Sequence, residues 1–178
     1  MDKHDFELIY LFLALEGKVT VREHNLFASL MKHDGYDDSD IKEIGRNTMN
    51  IISYAYSNED REAIIRHEFE KYARGDIKKG NTLHNRTVLW TLINFGFSDS
   101  SYSKAEQRLI HLYENRMNIG KSYVLEMESA AKTLLSVQKE IDFLNTSISN
   151  ASVKIINSEL QNTIKIIHEQ ISILVQLG

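Results

Sequence analysis

The sequence predicts an all-α fold, a bundle of about seven or eight helices. Apolar residues recur at steps of three and four along the chain, which is the spacing of one helix face. None of the 178 residues is a proline, although proline commonly marks turns and strand edges. Alternating apolar and polar residues, the pattern of a half-buried strand, are missing. We therefore expect helices joined by turns of Gly, Asn, Asp and Ser.

Four amphipathic segments make up the first half of the chain. Gly17 ends the first segment, and Thr20 with Glu23 forms a capping-box pattern at the start of the second. Ser39 or Asp40 is expected to cap the third. The apolar positions of the four segments are, in chain order, Phe6, Ile9, Tyr10 and Leu13; Leu26, Phe27, Leu30 and Met31; Ile41 and Ile44; and Ile64, Ile65, Phe69 and Tyr72.

The helical pattern restarts after a polar stretch at residues 73–81, which is expected to be a loop. An apolar helix then runs to Gly96, where a second loop is expected. Ser103 with Glu106 repeats the capping-box pattern, and Gly120 is expected to end the helix that follows. The apolar positions of these two helices are Val88, Leu89, Leu92 and Ile93, and Leu109, Ile110, Leu112 and Tyr113.

The last third of the chain is an amphipathic extension, so we divide the chain into domains at residues 1–125 and 126–178. Two apolar series with helical spacing are out of phase at the polar stretch 145–152, which indicates either one long helix or a hairpin; Asn and Ser favour the hairpin. We predict that the second series binds a protein partner or a second copy of the chain. The first series is Leu134, Val137, Ile141, Leu144, Ile148, Ala151 and Ile155, and the second is Leu160, Ile164, Ile167, Ile171 and Leu174.

Composition excludes several classes of function. The formal net charge is −4 and no basic run is long, so no nucleic-acid partner is expected. The chain has no cysteine, which excludes disulfides, thiolate zinc sites and a cysteine nucleophile. No window approaches the ~20 apolar residues of a membrane span, and the short apolar run at residues 8–15 follows acids, unlike a signal peptide. We expect a cytoplasmic protein without a membrane span.

One chemical motif leaves an enzymatic alternative open. The adjacent pair His33-Asp34, preceded by His4, is compatible with a metal-dependent phosphohydrolase of the His-Asp type, which gathers such residues around a metal. A polar helix end explains the same pair. His67 begins a zincin-like motif, but Lys71 stands where the second histidine is required. We expect a protein that is not an enzyme and has no cofactor beyond a possible divalent metal ion.

The two glycine-centred helix joints carry a resemblance to a known family. Residues 13–23 read LALEGKVTVRE and residues 92–110 read LINFGFSDSSYSKAEQRLI, and we interpret residues 8–31 and 89–117 as an internally duplicated helix hairpin. An apolar helix, an acidic glycine loop, a Ser/Thr cap and a helix-opening glutamate are typical of the TerB-like proteins. The chain resembles this all-helical group, named for bacterial tellurite resistance, over about residues 5–125.

The resemblance implies a role and a set of metal ligands. It implies a non-catalytic protein of bacterial stress response or defence. The family's acidic positions match Glu16, Glu23 and Glu106, which the resemblance implies as divalent-metal ligands, while Phe95 replaces the acid of the second loop. From the residues themselves, Glu23 and Glu106 complete capping boxes. We expect a protein that acts mainly through protein–protein interaction.

Overall fold

A computed structural model of the chain describes residues 1–74, 82–98, 102–147 and 151–176. Over these ranges the chain forms helices and no strand, which confirms the predicted all-α class. A 3-10 turn at Ala14–Glu16 follows the first helix. The helices are α1 (Lys3–Leu13), α2 (Val21–His33), α3 (Asp38–Ile52), α4 (Asn58–Arg74), α5 (Thr82–Gly96), α6 (Lys104–Met117), α7 (Lys121–Ser147) and α8 (Ala151–Gln176).

The chain divides into two compact units, Met1–Ile119 and Gly120–Gly178. The first unit contains α1 to α6 and the second contains α7 and α8. The predicted loop residues 75–81 and 99–101 lie outside the described residues. Within the ranges that are described, none of the helices combines the length and the apolar character that crossing a membrane requires.

Helix α1 is the central element of the first unit. It packs against α2, α3, α4 and α5, and every residue from Asp5 to Leu13 except Glu7 is buried. A helix that is apolar around its whole circumference belongs inside a bundle, whereas an amphipathic helix belongs at its surface. The sequence predicted only one apolar face for this helix, so its position at the centre is a finding of the structure.

The helix starts mostly follow the predicted caps. Thr20 accepts a hydrogen bond from the Glu23 amide at 3.2 Å, and Glu23 accepts one from the Thr20 amide at 2.7 Å, which confirms the capping box of α2. The box predicted for α6 is likewise confirmed. The cap predicted for α3 is wrong, because Asp37 caps that helix. Its carboxylate accepts from the Ser39 and Asp40 amides at 2.7 and 3.0 Å.

The helix ends show where a left-handed backbone is needed. Gly17 adopts φ 90° just after the 3-10 turn at Ala14–Glu16, as a glycine terminating a helix commonly does. Asn118, with φ 54°, caps the end of α6, so the prediction that Gly120 ends this helix is wrong. Asparagine is the side-chain-bearing residue that best tolerates this conformation, and it stops α6 two residues earlier.

The second unit is a pair of long helices. Helices α7 and α8 pack against each other, and the Asn157 side-chain amide donates to the Asn145 side-chain oxygen at 2.8 Å near the connection. Of the two sequence interpretations, the hairpin is therefore the one that the structure adopts. The predicted seam residue Ile148 lies outside the described residues, as do the side chains of Ala151 and Ile155.

Candidate functional site

The start of α1 carries two aspartates that cap each other. The Asp2 Oδ1 atom accepts from the Asp5 amide at 3.0 Å, and Asp5 Oδ2 accepts from the Asp2 amide at 2.7 Å. The box satisfies two of the amide donors that every helix leaves open at its start. It uses one oxygen of each carboxylate, so Asp5 Oδ1 is directed at other side chains.

Asp5 is a fully buried carboxylate and it joins three helices. Its Oδ1 atom accepts a hydrogen bond from the Tyr72 hydroxyl of α4 and lies 3.1 Å from His84 Nε2 of α5. Removing a carboxylate from water costs several kcal/mol unless hydrogen bonds or opposite charge replace the water. Asp5 therefore sits where α1, α4 and α5 each supply a polar group.

Two tyrosines extend this polar network into the core. Burial raises the pKa of Tyr72, and the neighbouring Tyr113 and the Asp5 carboxylate raise it further. Burial also raises the pKa of Tyr113, with the charge of Asp5 as the next cause. The two rings lie with centroids 6.1 Å apart. Both phenols therefore stay protonated near neutral pH, and Tyr72 donates its hydrogen bond to Asp5.

Asp2, Asp5 and His84 bring three potential metal-ligand atoms together. One carboxylate oxygen from each aspartate and one ring nitrogen of His84 all lie within 4.8 Å of one another. Among the described residues, this is the group of three or more His, Asp or Glu side chains that meets this geometry. The three residues differ in solvent exposure: Asp2 is exposed, His84 is half-buried and Asp5 is buried.

A pocket of about 560 Å³ opens beside this cluster, between α1, α3 and α4. Its size is within the range of small-molecule pockets, roughly 300–1,000 Å³. Leu8, Leu11 and Ile51 provide apolar lining, while Asp2 and Tyr72 belong to both the pocket and the network around Asp5. The remaining lining residues are His4, Glu7, Asn47, Thr48, Glu68 and Lys71.

The glutamates predicted as metal ligands are spread over two helix starts and a turn. Glu23 is buried and Glu106 half-buried, and their carboxylates accept from the Thr20 and Ser103 amides at 2.7 and 2.6 Å. Glu16 is exposed in the 3-10 turn. In the described part of the chain, none of these three glutamates belongs to a group of three potential ligands. Their role as ligands stays a prediction, whereas the capping role is observed.

The His-Asp positions are not gathered around a common point among the described residues. His33 is exposed, with Nδ1 3.2 Å from the Asp34 carboxylate. Asp34 accepts from the amino-terminal ammonium group at 2.7 Å. His4 instead pairs with Glu7 at 2.7 Å on the lining of the pocket.

The predicted interaction residues of α8 are only partly accessible. Ile167 and Ile171 are 8% and 5% exposed, so a partner reaches these two only if their present contacts open. Leu160, Ile164 and Leu174 are half-buried. The interaction role of the five residues stays a prediction. Among the side chains of the second unit that the structure describes, the large apolar ones that are exposed are Leu125, Phe143, Ile156, Ile166 and Ile173.

Sequence reasoning missed the network around Asp5. The spacing Asp2-x-x-Asp5 is a capping-box signal at the start of an apolar helix, so the pair was visible in the sequence. His84 follows Asp5 by 79 residues, with no motif connecting them. Tyr72 has the spacing of an ordinary core residue.

Comparison with protein-family models, with curated proteins and with solved structures finds no match to this chain.

Proposed function

We propose that the protein is a non-catalytic helical interaction module whose C-terminal hairpin binds a helix of a partner protein or of a second copy. The observation that supports this proposal is an exposed apolar face on each helix of the hairpin. Ile166 and Ile173 are 45% and 56% exposed on α8, and Leu125 and Phe143 are 54% and 64% exposed on α7.

The spacing of these residues is what distinguishes them from scattered surface leucines. Ile166 and Ile173 are seven residues apart, which is about two helical turns, so they share one face of α8. Leu125 and Phe143 are 18 residues apart, about five full turns, and share one face of α7. Single exposed apolar residues are ordinary, but aligned ones are typical of a helix that packs on another helix.

The resemblance to the TerB-like proteins supports a role in bacterial stress response or defence, in the cytoplasm. It is the only feature that bears on the biological setting, and it rests on the two helix joints described above. The proposal therefore separates into a mode of action, which the hairpin supports, and a setting, which the resemblance supports.

Site-specific photo-crosslinking in the cells that express the protein tests the mode of action. A photoreactive phenylalanine analogue replaces Ile166 or Ile173 in one set of variants. It replaces Gln161 or His168, which are exposed and more than a quarter turn from that face, in a matched control set. We expect a discrete cross-linked protein band from the first set, and the mass of the band separates a second copy from another protein. Equal cross-linking at all four positions, or none at any, contradicts the proposal.

A further inference from the structure

We propose that Asp2, Asp5 and His84 form a binding site for a single divalent transition-metal ion of the zinc type. This site is distinct from the glutamate positions that the family resemblance implies. It also goes beyond the proposed interaction function, since the hairpin contributes none of its ligands. The proposal rests on ligand geometry, on the way the two carboxylates are held, and on the neighbouring pocket.

The spacing of the three ligand atoms suits one shared ion. Zinc binds nitrogen and carboxylate oxygen at about 2.0–2.2 Å, which puts two tetrahedral ligand atoms roughly 3.4 Å apart. Asp5 Oδ1 and His84 Nε2 are 3.1 Å apart, and the three ligand atoms all lie within 4.8 Å of one another. Asp2 is the exposed member of the group and lies at the N-terminal cap of α1.

The capping box orients both carboxylates, because it fixes Asp2 Oδ1 on the Asp5 amide and Asp5 Oδ2 on the Asp2 amide. The Tyr72 hydroxyl donates to Asp5 Oδ1, which orients that oxygen as groups behind metal ligands commonly do.

The donor set selects the class of metal. An imidazole nitrogen with two carboxylates suits zinc, cobalt and manganese, whereas calcium and magnesium prefer oxygen ligands alone. Three protein ligands leave a fourth position for water or a small ligand. The pocket of about 560 Å³ borders Asp2 and Tyr72, so one proposed ligand lies on the lining of a cavity of small-molecule size.

A hydrogen bond from His84 Nε2–H to Asp5 accounts for the same 3.1 Å distance without any metal. The two explanations differ in whether His84 Nε2 carries a proton. With zinc bound, Nε2 has no proton and its ¹⁵N chemical shift moves to that of a metal-bound imidazole. With a hydrogen bond alone, Nε2 keeps its proton when zinc is added. Imidazole ¹⁵N spectra of the full-length protein therefore distinguish the two directly.

The test uses full-length protein without a histidine tag, stripped of metal with a chelator and titrated with ZnCl₂ and CoCl₂ by calorimetry. We expect one ion per chain, with magnesium and calcium bound at least tenfold more weakly. His84→Ala should weaken zinc binding at least tenfold. Asp2→Asn should do so too, while keeping α1 capped, because asparagine caps helices about as well as aspartate.

His111→Ala is the matched control, because His111 also lies beside a carboxylate, 3.1 Å from Glu114, in the same unit. Its zinc affinity should equal that of the unmodified protein. The proposal is overturned if the unmodified protein binds no zinc, if His84→Ala and Asp2→Asn bind zinc as tightly as it does, or if the His84 nitrogen keeps its proton with zinc present. Circular dichroism of the three variants confirms that each is folded before affinities are compared.

Discussion

The Tyr72 hydroxyl donates a hydrogen bond to the Asp5 carboxylate across 67 residues of sequence, and it does so in the interior of the first unit. Helix α1 buries the Asp5 carboxylate in its first turn as well as its apolar length, because α4 supplies this donor and α5 supplies His84. A carboxylate is stable in a buried position only when such donors replace its hydrogen bonds to water. The position of α1 therefore depends on a polar contact as well as on apolar packing.

Tyr72→Phe should lower the free energy of unfolding by about 2 kcal/mol, the usual worth of a hydrogen bond to a charged group. The ring is retained, so the loss reports the hydroxyl alone. The midpoint of urea unfolding measures it, at an unchanged slope. Tyr54→Phe is the control, because Tyr54 is 77% exposed and its variant should unfold like the unmodified protein. Equal stability of both variants would show that Asp5 does not need this donor.

The capping boxes of α2 and α6 predict that replacing the helix-opening glutamate by Gln and by Ala has different effects. Glu23→Gln keeps an acceptor for the Thr20 amide, whereas Glu23→Ala removes it. We expect a loss of about 1 kcal/mol for the alanine variant and clearly less for the glutamine variant. Glu106 should behave in the same way with Ser103. Thermal unfolding of the four variants measures this, and equal losses for Gln and Ala would mean that the charge matters rather than the hydrogen bond.

Local signals explain why much of the fold was predictable. Helical periodicity and the Thr20 and Ser103 caps act within a few residues, so the all-α class and the starts of α2 and α6 follow from short stretches of sequence. The cap of α3 was misplaced by two or three residues. Asp37, Ser39 and Asp40 are all good caps, and only the backbone decides which side chain reaches the open amides.

The candidate metal site depends on long-range contacts that no local pattern encodes. Asp2 and Asp5 are visible as a capping pair, but His84 joins them only because α5 packs against α1. The pairing of helices depends on the shapes of whole apolar surfaces, which a single sequence does not reveal.

The apolar series of α8 was likewise recognised correctly as a helix face. The packing of α8 decides which residues of that face are buried, and Ile167 is one of them.

Gly17 and Gly35 both have positive φ but differ in their surroundings, and substitution should reveal the difference. A Cβ atom on Gly17 would lie 2.8 Å from Cζ of Arg61, whereas one on Gly35 would meet no atom within 4 Å. Gly35→Ala should cost only the left-handed backbone strain, about 1–2 kcal/mol. Gly17→Ala should cost slightly more, because the guanidinium end of the flexible Arg61 side chain must also move from its contact with Asn58.

A double-mutant cycle isolates that second cost. In an Arg61→Ala background, Gly17→Ala should cost about as much as Gly35→Ala does, because the atom that it would meet is gone. Chemical denaturation of the single and double variants provides the four free energies. If the cost of Gly17→Ala is the same with and without Arg61, the close approach has no energetic consequence.

Glu62 and Arg108 connect α4 to α6, and their pairing should make stability depend on pH. Arg108 Nε and Nη2 donate to the two Glu62 oxygens at 2.6 and 2.7 Å. This hydrogen bonding holds the pKa of Glu62 below its ordinary value, against the opposing effect of partial burial. A carboxylate with a lowered pKa stabilises the fold above its unfolded-state pKa, about 4.3, and loses that effect as pH falls through the folded-state pKa.

Glu62→Gln should therefore be less stable than the unmodified protein above about pH 5, and the difference should shrink steadily below pH 4. Arg108 is exposed and Glu62 is only half-buried, so the effect should be small and should weaken further in high salt. Glu59→Gln on the same helix is the control, since its carboxylate is exposed. Urea unfolding from pH 3 to pH 7 measures both variants. A difference that grows towards low pH would mean that folding raises the pKa of Glu62, contrary to the geometry of this pair.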